Sequence, residues 1–195
     1  MKKNTKKLTC IALALVAAAT LTVAAFAAEY ASAPNFSDKP SQSTNVTTGT
    51  LKDAIKDAAE KDKGVAVATI EAASTNNITL SANVMKALAD KENVILSIEA
   101  GSVTIEINSA SIINTKKINL SMDVKSTDKK TVIDFRSNAD FGCDVKVVIN
   151  NCKLSEKQLE SARVYLDGED IGAVQIDENG LPFIIASKGG KYEIK

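Results

Sequence analysis

Apolar and polar positions follow two different periods along this chain, and the change of period divides it. Leu8 to Val23 is an unbroken apolar or small stretch with no charge, behind the basic cluster Lys2, Lys3, Lys6 and Lys7 and ahead of Ala25-Phe26-Ala27. That order of basic, apolar and small-residue segments is the signature of a secretory signal peptide over residues 1–27. Cys10 precedes nearly all of the apolar stretch, so it leaves with the peptide rather than serving as a lipidation site. Residues 28–49, rich in Ser, Thr, Asn and Pro and without apolar periodicity, read as a flexible linker.

From Thr50 onward, periodic structure is expected. Thr50 caps a predicted helix LKDAIKDAAEKD, with Leu51, Ile55, Ala58 and Ala59 on one face, and Gly64 ends it. The β-branched run Val65 to Ala72 predicts a strand, and Ile78 to Leu80 begins another. Ser81 then caps a second helix in SANVMKALAD, whose Val84, Met85 and Leu88 share a core face.

After Asn93 the period falls to two. Val94, Leu96 and Ile98 alternate, an Ala100-Gly101 turn follows, and Val103, Ile105 and Ile107 alternate again, which predicts a hairpin. INLSMDV reads as one further strand, as do Val132 to Phe135 and Val145 to Ile149, with SNADFG as the loop between the last two. Ser155 and Gln158 match a capping box for a short helix before the strand RVYL. DGED and DENG are turn sequences, and the closing strands fall near Ile171 to Ile176, Phe183 to Ala186 and Tyr192 to Ile194. The fold class expected is mainly β (α+β), an antiparallel β-sandwich-like domain with two to three short helices. Its module occupies residues 50–195, with an optional division into a helix-containing lobe 50–112 and a β lobe 113–195.

Composition narrows the chemistry. The chain has no histidine and no tryptophan among its 195 residues. That removes the Ser-His-Asp triad, the Cys-His dyad and His-ligated zinc or haem. Cleavage after Ala27 would remove four lysines and no acidic group, taking the balance of 24 basic and 24 acidic side chains to a net charge of −4. A mildly acidic surface with interspersed signs lacks the basic footprint of nucleic-acid or anionic-membrane binding. Neither partner class is expected, and no cofactor is indicated.

The runs NITLSANVMKALADKENVILSIEAGSVTIEINSASI and VYLDGEDIGAVQIDENGLPFIIASKGGKYEIK resemble β-rich extracellular modules of secreted and surface-layer-associated proteins of Gram-positive, clostridial-type anaerobes. The resemblance covers most of residues 65 to 195, including the closing strand Tyr192-Glu193-Ile194. Where many members carry His-Phe-Ser before that tyrosine, this chain has Lys188-Gly189-Gly190-Lys191. The resemblance implies a non-catalytic envelope or accessory module and carries over no functional residues.

Cys143 and Cys152 are the cysteines left after export, which makes a disulfide conceivable. If CDVKVVINNC is one extended strand, its ends lie ~30 Å apart, against the roughly 6 Å a disulfide needs, so only a fold-back near Asn150-Asn151 would bridge them. Asp134, Asp140 and Asp144 form one acidic group, and Asp167, Glu169, Asp170, Asp177 and Glu178 another. Asp167, Glu169 and Asp170 are the calcium candidates, although neither group follows the EF-hand spacing and turn solvation explains the same residues. A paired-carboxylate glycosidase or an aromatic sugar platform is disfavoured by the few aromatics.

Two classes of function follow. One is a secreted structural or protein-interaction module that uses strand edges or loops at or near the cell envelope, binding envelope material or another exported protein. The alternative is an extracellular ligand- or carbohydrate-binding protein, or a weakly marked enzyme, working through loops 136–142 and 167–172 at one end of the domain.

Overall fold

The computed structural model describes residues 66–195 together with Asp53, Ala54 and Lys56. The expected signal peptide, the linker and most of the helix after Thr50 lie outside the described residues. Ala54, from that helix, packs against the core.

The described chain is mainly β. Its strands are β1 (Ala66–Glu71), β2 (Thr79–Leu80), β3 (Val94–Ala100), β4 (Val103–Asn108), β5 (Ile118–Asn119), β6 (Met122–Ser126), β7 (Thr131–Phe135), β8 (Asp140–Ile149), β9 (Arg163–Leu166), β10 (Glu169–Ala173), β11 (Gln175–Ile176), β12 (Pro182–Lys188) and β13 (Lys191–Ile194). Two helices interrupt them, α1 (Ala82–Ala89) between β2 and β3 and the single turn α2 (Glu156–Leu159) before β9. One sheet has six strands in the order β1-β3-β4-β8-β12-β11, and the other has five in the order β10-β9-β13-β7-β6. β2 and β5 form a separate pair.

Local chemistry accounts for much of this. Ser81 Oγ accepts the Val84 N–H at 3.3 Å, and α1 buries Val84, Met85 and Leu88 completely. The β3–β4 hairpin closes at the Ala100↔Val103 pair around Gly101-Ser102. At α2, Gln158 Oε1 accepts from both the backbone N–H and the hydroxyl of Ser155, at 2.9 and 2.8 Å. Asp167 and Gly168 both have positive φ (51° and 94°), the geometry of a type I′ turn, and they close the β9–β10 hairpin.

The inward positions line up across strands. Leu96, Ile107, Val145 and Ala186 form one row of the six-stranded sheet, and Ile98, Ile105, Val147 and Ile184 the next. From the five-stranded sheet Met122, Ile133, Phe135, Val164, Tyr192 and Ile194 join the same buried cluster. Phe135 on β7 meets Phe141 on β8 and Tyr192 on β13, with ring centroids 5.3 and 5.8 Å away.

Four expectations need correction. The six-stranded sheet is mixed, because β1 pairs with β3 in parallel from Ala66↔Val94 to Glu71↔Glu99. The connection through α1 is long enough to carry the chain back to the starting end, as parallel pairing requires. INLSMDV is two strands in different sheets, since β5 pairs with β2 whereas β6 pairs with β7. The break falls at Leu120-Ser121, where Leu120 N–H donates to Ile78 O and Ser121 Oγ accepts the Ile78 N–H. The run Ile171 to Ile176 likewise divides at Val174, with β10 in one sheet and β11 in the other. Finally, β8 begins at Asp140, so the loop expected over SNADFG shrinks to Ser137–Ala139. Pairing of β4 with β8 carries the larger sheet across the 112/113 boundary.

Candidate interaction edge

The loops singled out from the sequence come together at one end of the fold. Both flank Gly189-Gly190, the link that carries the chain from β12 in one sheet to β13 in the other. Gly189 N–H donates to Ala139 O at 2.9 Å, and a Cβ on Gly189 would stand 1.4 Å from the Ser137 carbonyl oxygen. On the other side Gly190 lies against Leu166 and Asp167, and Asp167 Oδ1 accepts the Lys191 N–H at 2.9 Å. The strip between the two loops is therefore filled by the chain's own backbone. The second loop also contracts to the Asp167-Gly168 turn, because residues 169–173 are strand.

The acidic side chains there have separate employment. Asp167 holds Lys191, whereas Asp170 pairs with Arg163 and accepts the Gly172 N–H at 2.9 Å. The hydrogen bond from Arg163, then that from the Gly172 N–H and the Arg163 charge, hold the Asp170 carboxyl below its ordinary range. Glu169 is exposed on β10. The calcium candidates are thus not gathered, and among the described residues no group of three ligating side chains is placed to hold a metal. Asp140 accepts the Gly142 N–H at 2.6 Å, and Asp177 accepts from Asn179 and Leu181 within the DENG turn. These are the backbone-capping roles that bring Asp into turns.

Cys143 and Cys152 are free thiols. Cys143 is buried on β8, which continues to Ile149 and places ~20 Å of extended strand before the Asn150-Asn151 turn. The turn directs Cys152 toward Thr131 Oγ1, at 3.5 Å, rather than back to Cys143. Burial, reinforced by Asp144 and Asp140, pushes the Cys143 thiol up to about 11.

Two concavities lie elsewhere. A polar cleft of about 470 Å³ at the opposite end of β8 is lined by Glu71, Glu99, Gly101, Thr104 and Asn150. The Asn150 amide spans it by donating to Thr104 Oγ1 at 3.1 Å and Gly101 O at 3.5 Å. The second is a dimple of about 90 Å³ at the seam between the sheets, lined by Ile171, Ala173, Phe183, Ile184 and Ile185 with the polar Gln175 among them.

The dimple sits beside an open strand edge. β11 covers β12 only at Pro182 and Phe183, and beyond Phe183 no described strand lies on that side. Ile171, Ile176 and Ile185, on the three successive strands β10, β11 and β12, remain 50, 44 and 48% exposed. A single exposed aliphatic residue is ordinary, but Ile171 and Ile185 line the same dimple beside an unpaired edge, which makes this the candidate interaction surface. Ile176, opposite Pro182, lies on the other face of the sheet from Ile185. The sequence carried one signal of it. In PFIIAS two isoleucines are consecutive, so a strand that buries Ile184 must present Ile185 outward. Compared with protein-family models, curated proteins and solved structures, the chain matches none of them.

Proposed function

We propose that this chain is an exported, non-catalytic protein-interaction module with a β-sandwich body, acting at or near the cell envelope. The basic, apolar and A-x-A segments of residues 1–27 support export. The sandwich reading rests on two sheets that each contribute one face to a single buried cluster. One observation carries the interaction reading: the polar loops spend their side chains on internal turns, while Ile171 and Ile185 stand half exposed around one dimple beside an unpaired strand edge.

The test is co-sedimentation of the exported protein with isolated envelopes of its own organism, for the wild type and for the double variant Ile171→Ser, Ile185→Ser. Wild-type protein is expected in the pellet after a salt wash, with binding lowered at least several-fold in the variant. Quantitative recovery of the wild type in the supernatant would overturn the envelope reading. Equal retention of both proteins would remove the edge from it.

A further inference from the structure

The geometry points to an extended peptide strand with an acidic end as the occupant of the β12 edge, docked antiparallel so that its acidic residue meets Lys188 and an aliphatic side chain enters the dimple. This rests on the interaction-module reading and specifies its partner. Three observations lead there. The edge from Ile184 to Lys188 has no described strand beside it, so its backbone can continue a ladder with an added strand. The dimple of about 90 Å³ has room for one branched aliphatic side chain between Ile171, Ala173, Phe183 and Ile185.

Charge supplies the third. Lys188 is exposed at the far end of the edge and forms no ion pair with any described residue. Asp140, its cross-strand partner on β8, instead turns Oδ1 to the Gly142 N–H. A carboxylate on an added strand would therefore meet an ammonium without an ion-pair partner at one end of the edge, whose other end borders the dimple.

A second copy of this chain fits the edge poorly. Antiparallel pairing of two β12 edges about Ala186 would set Lys188 of each copy against Ile184 of the other, placing an ammonium at the dimple without a counter-charge. The register shift between Ala186 and Lys188 further bends the edge away from flat self-pairing. So short an edge also falls well below the roughly 1,200 Å² that stable dimers bury. A flexible strand needs less area because backbone hydrogen bonds carry much of its binding.

Two acetylated, amidated hexapeptides of alternating threonine and valine, one beginning with glutamate and one with lysine, provide the probe. They are titrated into the isotope-labelled exported protein while its amide resonances and hydrogen exchange are followed. The glutamate peptide is expected to shift and slow exchange of the Ile185 and Ser187 amides, which face the open side while those of Ile184 and Ala186 face β8, with affinity about tenfold above that of the lysine peptide. Lys188→Glu, whose remaining amide spectrum should superimpose on the wild type, is expected to reverse that order. No response of β12 to either peptide, or binding without charge preference, would overturn the proposal. Envelope co-sedimentation of the same variant separates the two readings. Loss of wild-type envelope binding defeats the module itself, whereas equal binding by wild type and Lys188→Glu defeats only the acidic-strand partner.

Discussion

Cys143 shows how one strand position decides a side chain's chemistry. Its thiol points into the core and is held protonated, up to about 11, by burial and then by the carboxylates of Asp144 and Asp140. Alkylation needs thiolate, so in native protein near about pH 8 Cys143 should resist iodoacetamide and react on unfolding. Peptide mass mapping before and after guanidinium treatment reads this directly. Labelling of Cys143 in the folded protein as fast as in the unfolded chain would contradict its placement. Glu193 is the opposite case. It is 13% exposed and accepts from Lys130, Lys191 and Lys195 at 3.0, 3.1 and 3.3 Å, and those donors pull its carboxyl down to about 2 from an ordinary 4.5. A depressed carboxyl stabilises the fold above its unfolded value and loses that contribution as pH falls through the folded one. Glu193→Gln should therefore be less stable by about 1 kcal/mol at neutral pH, with lysines that are half exposed and screened. Denaturant melts should show the gap closing between pH 4.5 and about 2. A gap independent of pH would mean that packing, not charge, holds Glu193.

Among elements, the link between β12 and β13 leaves the least room for change. Gly189 lies against the Ser137 carbonyl, so even a methyl group forces the 137–139 loop or the link to move. Gly189→Ala is expected to destabilise the protein by about 3 kcal/mol through overpacking, measured by chemical denaturation. A loss below about 0.5 kcal/mol would show that the loop yields freely. This link also shows what the sequence could and could not reveal. Asp167-Gly168 was legible because only certain residues accept positive φ in succession, and the β3–β4 hairpin because its alternation is strict and its turn short. The break at Leu120-Ser121 was not, because apolar alternation continues unbroken from Ile118 to Val124. Nor was that at Val174, where the apolar positions only shift from odd to even, as at any bulge within one strand. Ile118, Leu120 and Met122 are all buried, and only long-range bonds to Ile78 and Ala162 move the backbone from one sheet to another. Periodicity records which face is buried, not which neighbour is paired.

The same limit applies to the whole molecule and to its site. Mainly β content follows from local patterns, whereas the mixed sheet, the strand order and the meeting of residues 137–139 with 167–168 depend on pairings far apart in sequence. Asp167, Glu169 and Asp170 drew notice as an acidic group, yet the tasks of Asp170 and Asp167 were hidden until Arg163 and Lys191 came into place beside them, and Glu169 is simply exposed. The edge isoleucines drew none because isolated apolar residues are common on surfaces, and only the strand order shows that these border an uncovered ladder.

β13 sits between β7 and β9, yet follows both of them in the chain. A polypeptide emerging amino-terminus first, from a ribosome or through an export channel, reaches residue 190 with the five-stranded sheet still split into β6-β7 and β9-β10. Tyr192, fully enclosed and donating its hydroxyl to Lys188 O at 2.8 Å, arrives after nearly every residue that will surround it. The two halves of this sheet therefore have no ladder between them until β13, the last of its strands in chain order, is in place.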